Sequence, residues 1–151
     1  MLFRSRSRLE IVVAPSGAVV LDDSYNANPA SMAATLKALG EERDIERRIA
    51  VLGPMRELGG QTDEMHAALA PAVMAAKVDH LILVGDEMRP LEQALGGAVT
   101  IDRVDNVDDA AEALARIVRP GDAVLVKASN SIGLAKLVER MAEGLTTCSI
   151  G

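Results

Sequence analysis

Three short segments hold most of the side chains able to do chemistry. The first, Asp22-Asp23-Ser24-Tyr25-Asn26-Ala27-Asn28-Pro29, offers carboxylate acceptors, amide donors and one aromatic face. A carboxylate at a strand end can accept hydrogen bonds from ribose hydroxyls, and amides can bond a phosphate or a base edge without adding charge. An Asx-rich turn capping a helix accounts for Asn28 and Pro29 but leaves Asp22, Tyr25 and Asn26 unexplained. The second segment runs from Gly53 to Gly60 as GPMRELGG. Its glycines permit close backbone approach, and Arg56 and Glu57 can orient a ligand or form a solvated ion pair. The third, Lys127-Ala128-Ser129-Asn130-Ser131, ends a strand and opens a helix. A helix N-terminus with a nearby lysine and hydroxyls suits a phosphate or carboxylate, and simple Ser/Asn capping suits the same residues.

Other candidates point to structure rather than to a site. His66 falls inside a helical pattern and His80 opens a strand, so each is expected to be packed or capping. No His/Cys/Asp spacing suggests a metal site, and Cys148 near the chain end is not expected to be a nucleophile. Asp108, Asp109 and Glu112 read as the solvated start of a helix, where acids suit the dipole. Neither G-x-x-x-x-G-K-[ST] nor G-x-G-x-x-G occurs, which argues against a self-sufficient P-loop ATPase and a standard dinucleotide fold.

The elements that carry these segments are legible from periodicity. Residues 9–14 and 18–23 read as strands around the turn triplet Pro15-Ser16-Gly17, hence as a hairpin. Further strands are expected at 48–53, 80–85, 98–104 and 122–128. Helices are expected at 29–39, 62–76, 87–95, 107–117 and 131–143, the first capped by Asn28 and stopped by Gly40. Alternation from residue 48 onward predicts an α/β fold. It is a Rossmann-like three-layer sandwich, mostly parallel, with an antiparallel edge hairpin at its N-terminal side. In such sheets ligands sit beyond the carboxyl ends of the strands. That edge collects 22–29, 53–60, 85–90 and 127–133.

Bulk properties narrow the function classes. The 151 residues suffice for one domain with a sizeable core. Aromatic residues are confined to Phe3 and Tyr25, so the core must be aliphatic and the lone tyrosine belongs at a surface or site. A net charge of −6 argues against a general nucleic-acid binder, and Arg4, Arg6 and Arg8 read as a terminal linker. A single cysteine rules out a disulfide within the chain and fits a cytoplasmic location. No apolar run is long enough to span a membrane, and the opening residues lack a signal peptide's apolar region.

With these segments in view, the chain resembles the C-terminal domain of the Mur ligase family. The resemblance rests on DDSYNANP at 22–29, RRIAVLGPMRELG at 47–59 with His66 following, LILVG at 81–85 and LVKASNSIGLAKLVE at 125–139. It implies residues 9–151 as that domain, with 1–8 a linker, and a UDP-substrate domain and a central P-loop ATPase domain absent from this chain. The branch it resembles most adds D-alanyl-D-alanine to UDP-N-acetylmuramoyl-tripeptide in peptidoglycan synthesis. It works through an acyl phosphate, with ATP and Mg2+. The chain alone would then be inactive and hold no catalytic residue. By the same resemblance Asp23, Tyr25, Asn26 and Asn28 face the nucleotide, and Lys127, Ser129, Asn130 and Arg56 face the incoming dipeptide. The family usually carries Asp at the position of Pro54, and Gly-Ser-Arg where this chain has Ala128-Ser129-Asn130. Loss of that arginine removes a bidentate donor. The alternative is a stand-alone small-ligand or partner-binding module derived from this domain.

Overall fold

The computed structural model describes residues 10–13, 19–23, 29–43, 45–55, 62–127 and 135–143. In chain order these form β1 (Glu10–Val13), β2 (Val19–Asp23), α1 (Pro29–Glu41), β3 (Arg47–Leu52), α2 (Thr62–Ala67), α3 (Ala70–Ala75), β4 (His80–Val84), α4 (Arg89–Leu95), β5 (Thr100–Val104), α5 (Val107–Ile117), β6 (Asp122–Lys127) and α6 (Ala135–Glu143). The strands make one six-stranded sheet in the order β1-β2-β6-β3-β4-β5. Among the described strands only β1 is antiparallel to its neighbour, as the hairpin reading required. The expected α/β class and the antiparallel edge are both observed.

The hydrophobic pattern explains the layers. On β3, β4 and β6 both faces are apolar, so the strands are buried from both sides. Ala50, Leu52, Leu81, Leu83, Ala123 and Leu125 face one core, filled by α1, α3 and α4 through Met32, Leu36, Leu39, Val73, Leu91 and Leu95. Ile49, Val51, Ile82, Val84, Val124 and Val126 face a second core under α5 and α6, closed by Leu114, Leu137 and Met141. Among the described residues both clusters are built from Ala, Val, Leu, Ile and Met alone.

Two elements differ from the sequence expectation for clear reasons. The single helix expected over 62–76 is broken at Ala68-Leu69, and α3 restarts with Pro71 in its first turn. Proline has no N–H for the i−4 carbonyl and its ring clashes there, so the helix must end and begin again. Gly40 does not stop α1, which runs to Glu41. A Cβ at Gly40 would stand 2.9 Å from the Ala76 Cα, so glycine lets α1 approach the end of α3. The carbonyls at the end of α1 are satisfied by Arg48, whose guanidinium donates to Leu39 O, Gly40 O and Glu42 O. Of the last helix, expected over 131–143, the part at 135–143 is described; residues 131–134 lie outside the described residues.

The topology also locates a crevice. From β2 through β3, β4 and β5 the chain advances across the sheet, and it then returns to place β6 between β2 and β3. Right-handed crossovers place helices of the advance on one face and those of the return on the other. α6, the helix after β6, packs in the second core, whereas α1 and α3, the helices after β2 and β3, pack in the first. The carboxyl ends of β2, β6 and β3 therefore mark a switch point, where doubly wound sheets bind ligands.

Candidate functional site at the carboxyl edge of the sheet

Parallel register brings the described starts of all three polar segments together. Asp23 at the end of β2 is the Cα partner of Lys127 at the end of β6. Lys127 is in turn the partner of Leu52 at the end of β3. The ladder extends one step further, because Gly53 N donates to Lys127 O at 2.8 Å. The carboxyl ends of β2, β6 and β3 thus lie side by side, although the sequence separates them by tens of residues.

Lys127 is 1% exposed, one of the largest fully buried side chains among the described residues. A buried ammonium persists only with hydrogen-bonded or charged neighbours, and Lys127 is not a free cation. It belongs to the floor of the edge rather than to its outer surface. Of the other expected site residues, Asp23 is placed by its backbone at the end of β2. Tyr25, Asn26, Asn28, Arg56, Ser129 and Asn130 lie outside the described residues, as do Ala128 and the expected helix start that follows it.

The loop after β3 enters the protein. Gly53, Pro54 and Met55 are buried. His66, on α2 beneath them, is fully buried. Its Nε2 accepts from the Met55 backbone N–H at 2.9 Å. Its Nδ1 stands 2.7 Å from the Thr62 carbonyl oxygen, one turn earlier in the helix. A carbonyl can only accept and an amide N–H can only donate, so the ring is neutral with its proton on Nδ1. The expectation of a packed histidine holds, but its bond to Met55 was not legible from sequence.

The expected fourth segment, 85–90, is occupied with structure. Gly85 takes a left-handed φ of 98° to turn out of β4. Asp86 then pairs with Arg103 at 2.8 Å and Arg89 at 3.3 Å, and Arg103 also reaches Glu92. Among the described residues no group of three His, Cys, Asp or Glu could hold a metal ion.

The opposite edge of the sheet carries a partly buried ion pair. Arg47 meets Asp122 through two hydrogen bonds, Nε to Oδ1 at 3.0 Å and a terminal nitrogen to Oδ2 at 2.8 Å. The same guanidinium donates to the Ile117 carbonyl, and Asp122 also accepts from Arg119 N–H at 2.8 Å. The hydrogen bond to Asp122 holds Arg47 more firmly protonated than usual, against the opposing effect of burial. Burial pushes the Glu42 carboxyl up, partly offset by Arg48. His80 Nε2 lies 2.8 Å from Asp102 Oδ2 across β4 and β5. These groups are remote from the crevice and hold strand starts in place.

A family model described as Mur ligase, glutamate ligase domain matches residues 7–130. The chain belongs to the Mur ligase family. Among curated Mur ligases, the UDP-N-acetylmuramoyl-tripeptide–D-alanyl-D-alanine ligase of Mycobacterium tuberculosis (strain CDC 1551 / Oshkosh) is 36% identical, over 97% of this chain and 33% of its own length. The enzyme of the same name from Mycobacterium leprae is 38% identical, over 89% of this chain and 30% of its own length. A solved Mur ligase, MurF from Thermotoga maritima in complex with ADP, superposes with a TM-score of 0.76 at 26% identity. It covers 95% of this chain and 32% of that one. The chain spans about a third of the length of the Mur ligases it matches. No helix among the described residues is long and apolar enough to cross a membrane.

Proposed function

We propose that this chain is the C-terminal domain of a three-domain ATP-dependent ligase that joins D-alanyl-D-alanine to UDP-N-acetylmuramoyl-tripeptide. The observation that carries the reading is the 36–38% identity, along nearly the whole chain, to ligases of that name. Such identity over a third of each relative favours a ligase domain over a stand-alone binding module. The UDP-substrate domain and the P-loop domain then lie outside this chain, with residues 9–151 the third domain and 1–8 the linker into it.

In this reading the carboxyl edge of β2, β6 and β3 contributes one wall of a composite nucleotide site. Asp23 accepts from the ribose hydroxyls, with Tyr25, Asn26 and Asn28 beside it. The ADP-bound Thermotoga structure supports a nucleotide as the ligand class. Lys127, Ser129, Asn130 and Arg56 attend the dipeptide, whose carboxylate suits the dipole of the last helix. The described residues offer no carboxylate cluster for Mg2+. By the family resemblance the central domain would hold the ion, which would there offset phosphate charge. The tripeptide carboxylate takes the γ-phosphoryl group, the dipeptide amine attacks the acyl carbonyl, and phosphate leaves. This domain's part is to bind, orient and exclude water from the acyl phosphate. The place of action is the cytoplasm, where UDP-linked precursors and ATP meet.

The test uses the full-length protein. Phosphate release should require ATP, the UDP-tripeptide and D-alanyl-D-alanine together. Asp23→Ala should then raise the KM for ATP by an amount worth about 1–3 kcal/mol, the size of a lost charged hydrogen bond. Unchanged ATP kinetics would refute the ribose role. Phosphate release indifferent to the dipeptide would refute the substrate.

A further inference from the structure

His66 is a buried polar side chain that the proposed chemistry does not use. Met55 is the residue that leads into segment 56–61, and Thr62 is the residue that follows it. One imidazole bonds to both: Nε2 accepts from Met55 N–H, and Nδ1 donates to Thr62 O. The segment's two ends are thereby tied to a single ring that is 0% exposed. Neither bond can be exchanged for water without opening the core. A leucine of similar volume would fill the space and leave the Met55 N–H without an acceptor in a buried position, which is costly.

We propose that His66 is a positioning residue. As the neutral Nδ1–H tautomer it ties together Met55 and Thr62, the two residues that flank segment 56–61, and so holds both anchors of that segment in place. It touches neither substrate nor nucleotide. The consequence for ligation rests on the proposed function, in which Arg56 attends the dipeptide. Tying the ends removes chain freedom that binding would otherwise have to remove, which is preorganisation.

The experiment has two arms. In the 151-residue chain, imidazole nitrogen chemical shifts report the tautomer, and hydrogen exchange at the Met55 amide reports the clamp. Wild type should show a bare Nε2 and a protected Met55 amide. His66→Leu should lose that protection, and His66→Gln, which keeps an acceptor near the Nε2 position, should retain most of it. In the full-length protein His66→Leu should raise the KM for D-alanyl-D-alanine about tenfold, on the scale of one buried hydrogen bond. The KM for ATP should stay put, and His66→Gln should recover most of the loss. A protonated Nε2, or a Met55 amide equally protected in His66→Leu, would overturn the clamp. A lower melting temperature in His66→Leu with every KM unchanged would also overturn it, since that is core packing alone. Absence of ligation in the wild-type full-length protein would instead count against the proposed function, and the first arm would still decide the clamp.

Discussion

Arg47 and Asp122 stand 75 positions apart in the chain and meet at the start of two neighbouring strands. The buried Asp122 carboxylate satisfies Arg47 and the Arg119 N–H at once, while Arg47 also ties down the Ile117 carbonyl. Asp122→Ala leaves a partly buried guanidinium and an amide N–H without their acceptor. The expected cost is about 2–3 kcal/mol, set below that of a fully buried pair because Arg47 keeps some exposure. Urea unfolding measures it. A loss below about 0.5 kcal/mol would show that water replaces the carboxylate. Nothing local in the sequence marks this pair. Asp122 reads as an ordinary strand-opening residue after Pro120-Gly121, and only the sheet order makes Arg47 its neighbour. Asp23 and Lys127 have the same history. Their chemistry was visible in the sequence, and their adjacency was not.

At the level of elements, Gly40 separates two opposing effects. Ala is the better helix former by about 1 kcal/mol. Gly40 lies in a helix without a left-handed φ, so the backbone conformation itself accepts alanine. The added Cβ would nonetheless stand 2.9 Å from the Ala76 Cα and 3.3 Å from its carbonyl oxygen. Backbone cannot swing aside as a long side chain does. Gly40→Ala is therefore expected to lower stability by about 1–2 kcal/mol through overpacking between α1 and α3. A raised melting temperature would mean that the end of α3 yields freely. The same glycine shows why element ends are harder to read than elements. Glycine after a helical run signals a stop, but here it serves a contact 36 residues away, which no local rule contains. The α2–α3 break escaped for the opposite reason. Met65, Leu69 and Val73 keep a helical spacing straight through it, so the apolar pattern alone carries no sign of the break. The α5 boundaries, by contrast, were fully legible. Asn106 accepts from the Asp109 N–H as a true N-cap, and the buried alanines and Leu114 face one core.

For the molecule as a whole, two cores on either side of one sheet predict an autonomous folding unit. The purified 151-residue chain should unfold cooperatively in urea and release no phosphate from ATP with either peptide substrate. Ligation by that chain alone would refute the composite-site reading, because it would require a complete phosphate-binding apparatus within it. The alternation of strands and helices gave the layers and the edge on which to look. It could not give the strand order, which depends on the return of β6 into the middle of the sheet, and the crevice exists only because of that return.

The hydrogen-bonded staples Arg47–Asp122, Arg48 on the end of α1, and His80–Asp102 all gather at the rim where the strands begin. The carboxyl ends of β2, β6 and β3 stand together at the other rim. A substitution among the residues that follow those ends leaves the hydrogen bonds of the staples in place, so the binding edge can be recut by mutagenesis without unfastening the scaffold.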